Sequence, residues 1–187
     1  GAQIAAHMAN ADIPVVLFDL SATEGDPSGV SRRAIDNLKK LSPPPAATRD
    51  RLNYIEPANY NQHLEKLRDC DLVIEAIAER MDWKLDLYRR IAPHVKPEVA
   101  LASNTSGLSI EEMGGALPEA LRPRFCGVHF FNPPRYMTLV EVIPVAATDP
   151  QLVDDLESFL TTELGKGIVR AFDTPNFIAN RVGVFSL

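Results

Sequence analysis

Two residues stand out for the chemistry they could do together. His129 lies in Cys126-Gly127-Val128-His129-Phe130-Phe131, and Glu141 in Leu139-Val140-Glu141-Val142-Ile143. Both segments, Arg124 to Phe131 and Thr138 to Val145, read as strands. The short link holding Asn132-Pro133-Pro134-Arg135 suits an antiparallel hairpin rather than a crossover. In a hairpin symmetric about Arg135, His129 and Glu141 are each six positions from the tip and face each other. Cross-strand partners have Cβ atoms about 4.5–5.5 Å apart, within reach of an imidazole–carboxylate hydrogen bond. A carboxylate so placed stabilises an imidazolium and fixes its tautomer, so that the other ring nitrogen can exchange a proton with a substrate. A satisfied core histidine and an edge glutamate facing water fit the same residues. What favours the pair is an acid in so apolar a strand.

Ser103-Asn104-Thr105-Ser106-Gly107 directly follows an apolar run, Val99 to Ser103, that reads as a buried strand. Polar residues at the carboxyl end of a parallel strand sit where open α/β sheets bind ligands. The same residues also suit a cap before a turn over Ser109 to Met113. At the start of the chain, Gly1 begins a small-residue helix and Asp19 closes the first visible strand eighteen positions later. In a dinucleotide-binding unit the last glycine of G-x-G-x-x-G opens the helix. An acidic residue about twenty positions on binds the adenosine ribose. A terminal glycine and a solvated carboxylate after a strand are the other reading. Asn180 and Arg181, in an otherwise apolar helix from Asn176 to Val182, say little alone.

The elements that must hold these residues alternate between strand and helix. Pro14 to Asp19, Asp71 to Ile77 and Val99 to Ser103 are continuous apolar runs, as in parallel strands buried on both faces. Between them, Gly1 to Ala11 is alanine-rich, and Ser31 to Leu41 places Ala34, Ile35, Leu38 and Leu41 on one face. Asp82 could cap a helix carrying Leu85, Tyr88 and Ile91 that stops before Pro93. Leu41-Ser42-Pro43-Pro44-Pro45 must end a helix and begin a loop. Asp149-Pro150 opens a helix reaching about Leu164, Gly167 to Phe172 is an edge strand, and another helix starts at Asn176. The pattern is that of an α/β doubly wound, mostly parallel sheet with an antiparallel strand near its C-terminal part.

Composition narrows the function classes. The 187 residues are 45% hydrophobic, enough for a packed core. Lys+Arg 19 against Asp+Glu 25 gives a net charge of -6, with no basic run to bind nucleic acid. No apolar stretch has membrane-spanning length. Cys70 and Cys126 are lone thiols without ligand-spaced neighbours, which argues against a disulfide scaffold or a zinc site and for a reducing, cytoplasmic setting.

Gly1-Ala2-Gln3-Ile4-Ala5, Val16 to Asp19, Glu75-Ala76-Ile77-Ala78-Glu79, Ser103 to Ser106, His129-Phe130-Phe131-Asn132-Pro133, Leu139 to Val142 and Asn176 to Val182 come in a telling order. The chain resembles the 3-hydroxyacyl-CoA dehydrogenases, through nearly all its length. The His-Phe-Phe-Asn-Pro segment, followed twelve residues after the His by Glu141, is the most specific part.

The resemblance implies a Rossmann-type fold and NAD-dependent oxidation of a 3-hydroxyacyl-CoA to the 3-ketoacyl-CoA in fatty-acid β-oxidation. By similarity, His129 is the general base, Glu141 orients it, Ser106 and Asn180 hold the substrate oxygen, and Asn132 supports the pocket. Gly1, Asp19, Glu79, Lys84 and Ser106 lie near the cofactor. A carboxylate at the ribose repels a 2′-phosphate, which favours NAD over NADP.

Against the family pattern, the first strand and two loop glycines are absent before residue 1, and the helical C-terminal domain is absent too. Residues 1–173 are expected to form the NAD-binding domain, and 174–187 to begin that helical domain, through which a parent protein would dimerise. The 187 residues alone are expected to be inactive. Ser21 to Leu41, where family members contact CoA, does not match residue by residue. Gly25-Asp26-Pro27 and the Pro43 to Pro45 run look more like the long multidomain members. A non-catalytic NAD-binding structural relative, or a β-hydroxyacid dehydrogenase relying on a lysine, are the alternatives.

Overall fold

Alanine has the highest intrinsic helix propensity, and Ala2–Asn10 forms helix α1 with Ala6 and Ala9 wholly enclosed. In the computed structural model, which describes residues 1–185, α1 belongs to the first of two units. That unit comprises Gly1–Lys66 and the hairpin tip Phe131–Thr138. It also holds β1 (Val15–Asp19), α2 (Gly29–Leu38) and β2 (Ile55–Asn59), the last preceded by a 3-10 turn over Arg49–Tyr54. Strands β1 and β2 are parallel, with Val15 opposite Ile55 and Asp19 opposite Asn59. Ala5, Ala6 and Ala9 pack on Ile35, Leu38, Leu52 and Ile55. Small α1 side chains therefore let a helix lie close over a narrow sheet.

Three expectations for this unit are corrected. Strand β2 was not anticipated, because Pro57 in Ile55–Asn59 removes a backbone donor and reads as a breaker. Strand β1 is half-buried along its length rather than buried, in a sheet of two strands. Helix α2 runs from Gly29 to Leu38, not from Ser31 to Leu41. Lys39 and Lys40 bond back to the carbonyls of Asp36 and Asn37 in a closing turn, and Leu41 is exposed. The proline run does form a loop. Its carbonyls accept from Arg135 Nη1 (Pro44, 2.8 Å; Ala46, 3.0 Å) and from the Tyr136 hydroxyl (Pro44, 2.8 Å).

The second unit, Leu67–Phe130 and the chain from Leu139 onward, is built on a five-stranded sheet. Its strands are β3 (Leu72–Glu75), β4 (Ala100–Ser103), β5 (Phe125–Phe130), β6 (Leu139–Ile143) and β7 (Gly167–Arg170), adjacent in that order. Only β5 and β6 run antiparallel; the other neighbours are parallel. Helices α3 (Met81–Ile91), α4 (Ile110–Gly115), α5 (Pro150–Thr162) and α6 (Ala179–Phe185) complete it. This is a Rossmann-like α/β fold with one antiparallel pair, as anticipated.

Strands β4 and β5 are buried at every position. Leu101, Phe125, Ile110, Met113, Ile143, Leu152 and Leu160 form the core, each fully buried. Burial of a side chain of this size contributes about 1.5–3 kcal/mol. At Gly127 a Cβ would stand 2.8 Å from Ile110 Cδ1 and 3.0 Å from Ile143 Cβ, so α4 and β6 close over β5 only because that side chain is missing. Asp149 caps α5 as expected, its carboxylate accepting from Gln151 N at 2.9 Å. Asp82 does not cap α3. Arg80 holds the cap position, and Asp82, one residue inside the helix, pairs with the Arg80 guanidinium at 2.6 Å.

Candidate active site

In the second unit, the β5–β6 register sets His129 opposite Glu141. The Nδ1 of His129 lies 2.9 Å from Glu141 Oε2, and both residues are buried, 4% and 1% exposed. A carboxylate can only accept, so Nδ1 carries the hydrogen and Nε2 is the basic nitrogen. The other oxygen, Oε1, accepts from the backbone N–H groups of Ile178 (2.9 Å) and Ala179 (2.8 Å) at the start of α6. With donors on both oxygens, the carboxylate cannot rotate away from the imidazole. Phe177 packs on His129 with ring centroids 5.9 Å apart. Phe177 and Asn176 both adopt positive φ, 48° and 64°, where the chain turns into α6.

That turn also delivers Asn180, whose Nδ2 donates to the Ser106 carbonyl at 3.2 Å. Ser106 is exposed at the end of the turn that follows β4. Glu79 holds this turn through Oε1, which accepts from Thr105 Oγ1 (2.5 Å) and Ser106 N (2.8 Å). Gly107 is required here because a Cβ would stand 2.9 Å from Asn176 Oδ1 and 3.1 Å from Asn176 N. Asn104 accepts from Phe130 N at 2.9 Å, which ties the turn to the residue after His129.

Of the residues expected at a site, the structure brings His129, Glu141, Ser106, Asn180 and Glu79 into one linked group. Lys84 joins it from beneath. Its ammonium is 1% exposed, 2.7 Å from Glu75 Oε1 and 3.6 Å from Glu79 Oε2. In the first unit, Asp19 is half-buried at the end of β1, its Oδ1 accepting from Leu20 N at 2.7 Å. Gly1 is exposed before α1, and Asn132 is exposed at the start of the hairpin tip.

Sequence reasoning gave no individual role to Glu75, to Asn104 and Thr105 within the turn it singled out, or to Asp173. Glu75 carried the same signal as Glu141, an acid inside an apolar strand. Asp173 had none: it accepts from Ser109 Oγ, Ile110 N and Glu111 N (3.0, 3.0 and 2.9 Å), more than sixty residues away in the chain. Burial pushes the Cys126 thiol up to about 12, so it is no nucleophile. No group of three or more His, Cys, Asp or Glu among the described residues could hold a metal ion.

A mostly parallel sheet flanked by helices, with polar turns at the carboxyl ends of its strands, places the second unit among α/β domains of the dinucleotide-binding class. Residues 1–174 match the family model described as "3-hydroxyacyl-CoA dehydrogenase, NAD binding domain". The chain belongs to that family, and NAD is the cofactor of its domain.

Over its whole length the chain is 45% identical to a Rickettsia felis protein named as a fatty acid oxidation complex trifunctional enzyme, of which it covers 26%. It is 42% identical, again over its whole length, to a Deinococcus radiodurans protein named as a 3-hydroxyacyl-CoA dehydrogenase, of which it covers 54%. The chain thus spans about a quarter to about half of these relatives. The crystal structure of 3-hydroxybutyryl-CoA dehydrogenase from Escherichia coli K12 superposes with a TM-score of 0.81 at 35% identity. That match covers 97% of this chain and 38% of that one.

Proposed function

We propose that the full-length gene product oxidises a 3-hydroxyacyl-CoA to the 3-ketoacyl-CoA with NAD, in fatty-acid β-oxidation, with His129 as general base. The buried 2.9 Å contact between His129 Nδ1 and Glu141 Oε2, on a carboxylate locked by two backbone donors, carries this reading. His129 Nε2 takes the proton of the substrate hydroxyl, and Glu141 stabilises the imidazolium that results. Ser106 and Asn180 orient the substrate oxygen. Bound NAD would supply the hydride acceptor for C3 of the substrate.

The end of β1 fits the adenosine half of that cofactor. Asp19 stands at the carboxyl end of a parallel pair, where a carboxylate suits a ribose diol and opposes a 2′-phosphate. The family's pattern supports Gly1, Glu79 and Lys84 as further cofactor-side residues and Asn132 as support for the pocket. The same reading takes 1–173 as the NAD-binding domain and 174–187 as the start of a helical domain, in a cytoplasmic homodimer that acts on acyl-CoA. No helix among the described residues is long and apolar enough to cross a membrane.

Reduction of acetoacetyl-CoA by the full-length gene product tests the proposal. His129→Gln is expected to lower kcat by about 10²–10⁴, the usual contribution of a general base, while NADH binding persists. The wild-type enzyme should prefer NADH to NADPH. Normal turnover by His129→Gln, or equal kcat/KM for the two cofactors, would remove the corresponding assignment.

A further inference from the structure

Beneath the site lies a buried ionic cluster that the proton transfer does not use. Glu75 and Lys84 face each other at 2.7 Å, each side chain 1% exposed. Glu75 Oε1 also accepts from Ile77 N (2.7 Å), and Oε2 from Ser103 Oγ (2.7 Å) and the Tyr88 hydroxyl (3.3 Å). Ser103 Oγ in turn accepts from Thr105 N at 3.3 Å. A buried ion pair is weak evidence for stability, since apolar side chains of similar volume often hold a core as well or better. This one is wired to something. Two carboxylates from the segment 75–79 grip the 103–106 turn from opposite ends, Glu75 at Ser103 and Glu79 at Thr105 and Ser106. Lys84 sits between the two, 2.7 Å from Glu75 and 3.6 Å from Glu79.

We infer that Glu75 is a positioning residue for Ser106. Its charge holds Lys84 on the buried side of the cluster, and this leaves Glu79 on the Ser106 amide. The inference rests on the proposed reaction for its kinetic consequence, but not for its structural one. With Glu75→Gln, the single amide oxygen still accepts from Ile77 N, the amide nitrogen takes the place of Oε2 and donates to Ser103 Oγ, and the countercharge is lost. The Lys84 ammonium then turns to Glu79, the nearest remaining carboxylate, and draws it off Ser106 N. Glu79, about half exposed, has room to follow.

A double-mutant cycle in the full-length gene product tests this. Glu75→Gln should lower kcat/KM for acetoacetyl-CoA about tenfold when Ser106 is present, and have little further effect in a Ser106→Ala background. Losses that simply multiply overturn the inference, because a merely structural role for Glu75 would act in both backgrounds. Hydrogen exchange at the Ser106 amide gives a readout independent of any substrate. It should accelerate in Glu75→Gln; unchanged exchange overturns the inference even if the enzyme proves to act on another substrate. Should Glu75→Gln fail to fold, the Glu75→Gln/Lys84→Met double variant removes both charges and leaves no ammonium to draw Glu79 away, so exchange at the Ser106 amide should stay at its wild-type rate; accelerated exchange there overturns the inference.

Discussion

Glu141 serves different donors with its two oxygens, and Gln and Ala at this position separate them. In Glu141→Gln, the amide oxygen can accept from Ile178 and Ala179 while the amide nitrogen donates to His129 Nδ1. The imidazole must then carry its hydrogen on Nε2, where it cannot take a proton from a substrate. Turnover is expected to fall by about 10²–10⁴ with thermal stability close to wild type. Glu141→Ala loses both functions. Two N–H groups at the start of α6 are left without their acceptor, at a cost of about 1–3 kcal/mol each where they stay dry. Its melting temperature should therefore drop as well, and KM should rise as Asn180 loses its seat. Steady-state kinetics with thermal unfolding checks both variants; normal turnover by Glu141→Gln would mean that the tautomer is set elsewhere. At this scale the sequence was legible where one element carried the whole signal. His129 and Glu141 belong to a single hairpin whose tip is marked by prolines, so counting from Arg135 pairs them. Glu75 could be flagged as an acid in an apolar run, but its partners Lys84 and Ser103 arrive from two other elements, and no spacing predicts them.

The elements of the second unit were read well because each has a local cause: apolar runs of strand length, Asp149-Pro150 at the start of α5, glycine and proline at the breaks. Strand β2 was hidden because tertiary pairing with β1 overrides a proline that the local pattern reads as a breaker. The cap of α4 was hidden for a related reason. Ser109 supplies part of it, accepting from Glu112 N at 3.2 Å, but the other first-turn donors bond to Asp173, which lies beyond β7. Asp173→Ala should destabilise the protein by about 1–2 kcal/mol, the usual value of a helix cap. Chemical denaturation would measure it, and an unchanged midpoint would show that water replaces the carboxylate without loss.

For the whole molecule, a ternary complex with cofactor and substrate sets the demand. Hydride transfer needs donor and acceptor carbons held about 3–3.5 Å apart. The polypeptide spans 54% of the Deinococcus relative, and of a G-x-G-x-x-G phosphate loop it carries Gly1 alone before α1. The isolated 187-residue polypeptide is expected to bind NADH more weakly than micromolar and to show no measurable reduction of acetoacetyl-CoA, even with His129 and Glu141 in place. Calorimetry and a turnover assay test this; micromolar affinity or clear activity would show that these residues suffice.

The strand order of the second unit has a consequence for how a ribosome delivers it. Strands β3 to β7 are neighbours in the order in which they are synthesised, so each emerging strand finds its partner already made. Strands β3, β4 and β6 each wait about equally long for the next, and the last of these waits follows Ile143. Strand β6, with Val140 and Val142 fully buried in the finished sheet, leaves one edge open until Gly167–Arg170 arrives. Residues 144–166 must be translated first, which at about 5–20 residues per second takes about 1–5 s. During those seconds the nascent chain displays an open strand edge beside the strand that carries His129.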